Sequence, residues 1–294
     1  MAVRLPEPKN PSANDAAAVQ ELLGGKFSEM STLMNYTYQS FNFRGKKRLR
    51  PFYDLICSIS GEEYGHIEAV SMAINLLFTG TTTRGTDPTP GPLHGQVDAR
   101  NAYHFLNSGQ TALPMDSMGS FWTGQHVFSS GNLRLDLLHN FFLECGAHAG
   151  KMRVYEMVTD PCARTMIGYL LVRGGVHVVA YAKALEVLTG ADVTKLIPIP
   201  DLSNDAFPEA KKFMDEKLHL KILTFNEDKA YDKAALIRNG THPEDGQPLE
   251  CISGAPEGHP IPELDEEPQL NAPGADGIDP QMFGDIAKKM GIKL

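Results

Sequence analysis

A chain of 294 residues that is 42% hydrophobic can bury a substantial core, as one large domain or two smaller ones. Its formal charge of −9 argues against nucleic acid or an anionic membrane as partner, since both reward clustered Lys and Arg, and the short Arg44 to Arg50 cluster reads as a solvated turn between helices. Cys57, Cys145, Cys162 and Cys251 show no C-x-x-C spacing, which speaks against a zinc ribbon or a disulfide framework. The N-terminus carries no apolar leader and no later stretch approaches roughly 18 uncharged apolar residues, so the expectation is a soluble, reduced, cytoplasmic protein.

The first predicted helix runs from Ala16 to Phe43. Its stripe of Leu23, Phe27, Met30, Met34, Thr37 and Phe41 alternates steps of four and three, and Gly24-Gly25 weakens its first turns without necessarily ending it. The second, about Arg50 to Leu77, repeats the register through Phe52, Ile56, Ile59, Glu63, His66, Val70 and Leu77. A Gly/Pro/Thr-rich stretch from Thr79 to Gly95 then breaks the pattern. The interval before the third helix is long for neighbours in a bundle and predicts a crossover connection of the ferritin-like kind.

Gly131-Asn132 opens the third helix, whose stripe is Leu137, Phe141, Glu144, His148, Lys151 and Tyr155. Asp160 reads as an N-cap with Pro161 in first helical position, starting a fourth helix with stripe Met166, Leu170, Arg173, His177, Ala180 and Ala184. After Leu196 prolines recur and only short helical patterns remain. The predicted architecture is therefore mainly α: a four-helix bundle with its crossover over residues 1–195, and an extended Pro-rich C-terminal arm over 196–294. Residues 240–280 have too little apolar content to form a core alone, and an arm laid over a neighbouring subunit is the preferred reading.

Glu29 and Glu63 stand 34 residues apart around the turn at Arg44-Gly45-Lys46-Lys47, and Glu144 and His177 stand 33 apart around Asp160-Pro161. Residues equidistant from the turn of an antiparallel hairpin lie side by side, and at roughly 1.5 Å per residue both pairs sit about 25 Å from their turns. Two packed hairpins then bring Glu29, Glu63, His66, Glu144 and His177 into one layer, the construction of a dinuclear metal site. Glu63 to His66 is a Glu-x-x-His pair on one helical face. Charged groups rarely occupy a helix seam unless paired or coordinated. A bundle held by structural ion pairs, such as Glu144 with Lys151, reads the same positions without metal. His148 is a rival ligand or an outer partner; His94, His104, His126 and His139 have no matching carboxylate and read as structural.

The chain resembles the dimanganese catalases, non-haem enzymes with a ferritin-like core. The resemblance rests on Gly24 through Tyr36, Glu62-Glu63-Tyr64-Gly65-His66-Ile67-Glu68, Leu138 through Glu144, and Val172-Arg173-Gly174-Gly175-Val176-His177; it covers about residues 20 to 200, with a looser echo at Leu196-Ile197-Pro198-Ile199-Pro200. It implies disproportionation of hydrogen peroxide by two manganese ions per subunit alternating between the II,II and III,III states. Glu29 with His66 would hold one ion and Glu144 with His177 the other, with Glu63 and solvent as bridges. Tyr36, Lys151 and Arg173 are the implied catalytic side chains around them. Some members carry glutamate three residues before the second histidine, where this chain has Gly174. The resemblance further implies a homohexamer. A ferritin-like di-iron ferroxidase is the alternative, since glutamate and histidine accept either metal.

Overall fold

The computed structural model describes residues 1–10, 12–79, 100–101, 104, 111–225, 233–255, 257–264 and 280–292. Helices dominate: α1 (Ala13–Gly24), α2 (Glu29–Phe41), α3 (Arg50–Thr79), α4 (Leu133–Met157) and α5 (Pro161–Thr189), followed by short α6 (Val193–Leu196) and α7 (Lys211–Asp215) and a terminal α8 (Pro280–Lys289). Helices α2 to α5 form the ferritin-like bundle. Of the crossover predicted beyond Thr79, residues 80–99 with His94 among them, 102–103 and 105–110 lie outside the described residues, as do 256 and 265–279 of the 240–280 segment.

Local chemistry sets the helix ends. The Asp160 carboxylate accepts from Cys162 N at 2.7 Å and Pro161 fills the first turn of α5, which ends on Gly190 in the left-handed region at φ +80°. The Asn132 side chain caps α4 by accepting from Arg134 N and Leu135 N. The α5 helix is the one described helix long and apolar enough to cross a membrane, and its apolar window is entirely buried inside the protein.

One predicted helix is two. The segment expected to run from Ala16 to Phe43 breaks after Gly24, and Ser28 starts α2 by accepting from Ser31 N. Glycine is needed here for space: a Cβ on Gly24 would stand 2.3 Å from Met115 N and 2.5 Å from its carbonyl oxygen. Gln20 Nε2 holds the same strand of chain through Leu113 O and Met115 O, at 2.5 and 3.0 Å. The break makes Glu29 the first residue of α2, where the helix dipole favours negative charge.

The buried face of α2 also differs from the predicted apolar stripe. Phe41 is 70% exposed, while Glu29, Thr32, Asn35, Tyr36 and Gln39 are buried. A polar face can enter the bundle because its groups are paired: Gln39 and Asn140 exchange amide hydrogen bonds at 2.8 and 2.7 Å, and Asn35 Nδ2 donates to Ser31 O and His126 O. The predicted stripes of α3 and α4 are buried throughout.

Apolar residues cluster on both sides of the polar layer. One cluster joins Leu22, Val70, Ile74, Leu77, Met166 and Leu170; the other joins Phe52, Ile56, Ile59, Leu137, Phe141, Val176 and Val179. After α5 the chain returns to the bundle, burying Leu202, Phe207, Phe213 and Arg238, whose Nη1 donates to Val176 O at 2.9 Å. Two four-residue strands, β1 (Lys221–Thr224) and β2 (Glu250–Ser253), pair in parallel there. The sequence signalled only short helices in this region, because a strand of four residues has no periodicity to read. All four cysteines are free thiols.

Candidate metal centre

Side chains from four helices meet between the two apolar clusters. Glu29 and Tyr36 come from α2, Glu62, Glu63 and His66 from α3, Glu144, His148 and Lys151 from α4, and Arg173 and His177 from α5; none is more than 5% exposed. Glu63 lies at the centre. Its Oε2 is 3.0 Å from His66 Nδ1 and its Oε1 is 2.7 Å from His177 Nδ1, so each oxygen faces a different imidazole. Glu29 Oε2 reaches His66 Nδ1 at 3.2 Å, and Glu144 Oε1 reaches His177 Nδ1 at 3.5 Å. The two rings stack, with centroids 5.6 Å apart and planes 25° from parallel.

The surrounding groups are tied to these acids. Lys151 Nζ pairs with Glu29 Oε1 at 2.8 Å, rather than with Glu144 on its own helix as the ion-pair reading had it. Tyr36 Oη donates to Glu144 Oε1 at 2.6 Å, crossing from one hairpin to the other. Arg173 grips Glu62 with Nε at 2.6 Å and Nη2 at 3.0 Å, and its Nη1 donates to Leu218 O and Lys221 O. His148 Nε2 lies 3.1 Å from Asp201 O. A Cβ on Gly174 would stand 3.4 Å from Lys151 Nζ, so the residue three before His177 faces the lysine's head directly. The other described histidines lie elsewhere: His104 contacts Gln20 Oε1, and His139 contacts Asn35 Oδ1.

Glu62 is the residue sequence reasoning missed as a site group. Its signal was present: it stands four residues before His66, on the same face, where an acid is rarely buried unless something pairs with it.

Burial and charge pull the ionisable groups in opposite directions. Burial alone would raise the carboxyl of Glu29, yet the Lys151 ammonium and His66 hold it well below the usual range; Arg173 and His177 do the same for Glu62. Burial would lower both imidazoles, but Glu63 beside His66, and Glu62 with Glu63 beside His177, raise both well above their ordinary value. Burial, followed by the nearby Lys151, drops His148 to about 4, and burial with Glu144 pushes the Tyr36 phenol far up. The metal-free centre is thus built to gather positive charge.

The donors fit a metal. Glu63, His66 and His177 each offer a ligand atom within 4.8 Å of the others. Among the described residues, Glu144 Oε2 and both ring nitrogens of His177 are buried without an aligned hydrogen bond, and such atoms are costly unless something else satisfies them. Four acid side chains face only two permanent cations, so cationic charge is what the cavity lacks. Mixed carboxylate and imidazole donors suit manganese or iron.

The sequence matches the family model described as manganese containing catalase over residues 2–289. A manganese catalase of Bacillus subtilis is 32% identical over 197 residues, spanning 65% of this chain and 71% of that protein. The manganese catalase of Lactiplantibacillus plantarum is 30% identical over 177 residues, spanning 59% and 64%. In fold, the crystal structure of KatB, a manganese catalase from Anabaena PCC7120, superposes with a TM-score of 0.51 at 20% identity, covering 86% of this chain and 97% of that one. With nearly its whole length matched, this chain belongs to the manganese-containing catalases, enzymes whose substrate is hydrogen peroxide.

Proposed function

We propose that Glu29 with His66 holds one manganese ion and Glu144 with His177 a second, and that Glu63 bridges them. The ion pair, cycling between the II,II and III,III states, supplies the two-electron steps that turn two hydrogen peroxide molecules into dioxygen and two waters. The observation that carries this reading is the division of Glu63, with one oxygen toward each imidazole at 3.0 and 2.7 Å. The chain's own side chains hold this frame in place. Lys151 Nζ offsets the charge of Glu29, and Tyr36 keeps its proton while donating to Glu144 Oε1. Near-complete burial of the layer keeps bulk water out, which strengthens each of these electrostatic contacts.

The test is elemental analysis of protein produced with manganese supplied, alongside oxygen-electrode measurement of peroxide decay. Two manganese per chain with rapid oxygen release supports the reading, whereas iron loading with oxygen consumption would point to the ferroxidase chemistry that the same donors permit. Tyr36→Phe is expected to keep both ions while lowering turnover by about 10-fold, the mild end of the effect of removing a ligand's outer partner.

Uptake of metal should release protons. Both imidazoles have raised affinity for protons in the metal-free protein, so their charge stabilises that form below about pH 6.5 and the contribution fades as pH climbs through their elevated values. Manganese must displace these protons, and its affinity should rise with pH. Titration calorimetry in two buffers of different ionisation enthalpy should report about two protons released per chain near neutrality; a buffer-independent heat would refute this.

We further propose a homohexamer in a reducing, cytoplasmic setting. Leu135, Leu138 and Phe142 form an exposed apolar stripe along α4 suited to a subunit contact, and the free thiols suit that compartment. A solution mass six times that of the chain is the expected result.

A further inference from the structure

A histidine that binds metal through one ring nitrogen must carry its proton on the other, and a neighbouring acceptor decides which nitrogen that is. In this protein the Nδ1 atoms of His66 and His177 both face Glu63. Their Nε2 atoms both lie beside Glu62, one toward each oxygen, close but without an aligned hydrogen bond: His66 Nε2 lies 3.5 Å from Oε1, and His177 Nε2 lies 3.2 Å from Oε2. A carboxylate offers about four acceptor positions. Arg173 takes one on each oxygen, through Nε to Oε1 and Nη2 to Oε2, which leaves one on each oxygen for an imidazole.

We propose that Glu62 is a single positioning residue for both metal-binding histidines, fixing their protons on Nε2, and that Arg173 acts by locking Glu62 in place. This rests on the ligand assignment proposed above. Stacking of the two rings is what lets one carboxylate span them. Arg173 is in turn fixed by Leu218 O and Lys221 O, at 2.6 and 2.7 Å, so its guanidinium is committed on three sides and acts on the metal layer through Glu62. The sequence stretch after α5 thereby reaches the outer shell of the site.

Glu62→Gln tests this. The amide keeps the size of the side chain but leaves an acceptor for only one imidazole, so the two metal positions should become unequal. In manganese-loaded protein, chelator competition should show one ion weakened by about 10- to 100-fold, and electron paramagnetic resonance should show an isolated Mn(II) signal in place of the coupled pair. Two equally tight ions with an unchanged spectrum would overturn the proposal, as would equal weakening of both with a matching fall in the thermal stability of metal-free protein, the mark of a merely structural role. Should Glu62→Gln fail to fold, Arg173→Lys keeps the charge and removes the fork, and the same inequality is expected with smaller size; its absence would be equally fatal. Wild-type protein assayed in parallel separates the two readings: if it binds no manganese, the ligand assignment itself has failed.

Discussion

Glu63→Ala is expected to lose both manganese ions and all peroxide turnover above that of the free metal. Loss of an outer partner of a metal ligand typically costs about 10- to 100-fold in affinity, and Glu63 is the group that the Nδ1 atoms of both imidazoles share. The fall should therefore exceed about 100-fold in each measure. Inductively coupled plasma analysis after gel filtration, with oxygen release on the same sample, gives the result. Helix α3 itself should persist, since the substitution places a strong helix former at a buried position. Normal turnover by metal-free Glu63→Ala protein would remove the basis for the dinuclear mechanism.

The largest loss of stability is expected from Arg173→Ala. Arg173 and Glu62 are 2% and 5% exposed, and truncating the arginine leaves a buried carboxylate with only the two imidazoles beside it and strands two backbone carbonyls. Breaking one side of such a pair costs about 3–5 kcal/mol. On a chain of this size that corresponds to a melting temperature lower by on the order of 10 °C, best read on metal-free protein so that binding linkage does not enter. Because the penalty comes from the charge left behind, combining Arg173→Met with Glu62→Gln should recover part of the loss. A single substitution that leaves the melting temperature unchanged would show that the pair contributes nothing.

Much of this site was legible in the letters because its positions obey helical arithmetic. Glu63, His66, Glu144 and His177 lie on buried stripes that are otherwise apolar except for His148, Lys151 and Arg173, and equal distances from two turns put them at one level. The α2 helix was harder. Its buried face is polar, and a pattern search that seeks apolar residues selects Met30, Met34 and Phe41 on another side. The sequence marks the break after Gly24 only as a weakening at Gly24-Gly25, and it does not show that the backbone of Met115, 91 positions away, packs against the glycine. Glu62 escaped attention because its role depends on two rings and a guanidinium from other turns of the chain, a tertiary fact with no local period.

The acceptors that anchor Arg173 beyond the bundle are the carbonyl oxygens of Leu218, the first residue of a 3-10 turn, and of Lys221, which follows that turn. Every amino acid carries that oxygen. Identity at these two positions is therefore free to vary without disturbing the anchor, whereas shortening the loop by one residue, or inserting a proline that redirects the main chain, would displace it. The tail's hold on the polar layer is written in the path of the polypeptide, where comparison of residue types alone does not register it.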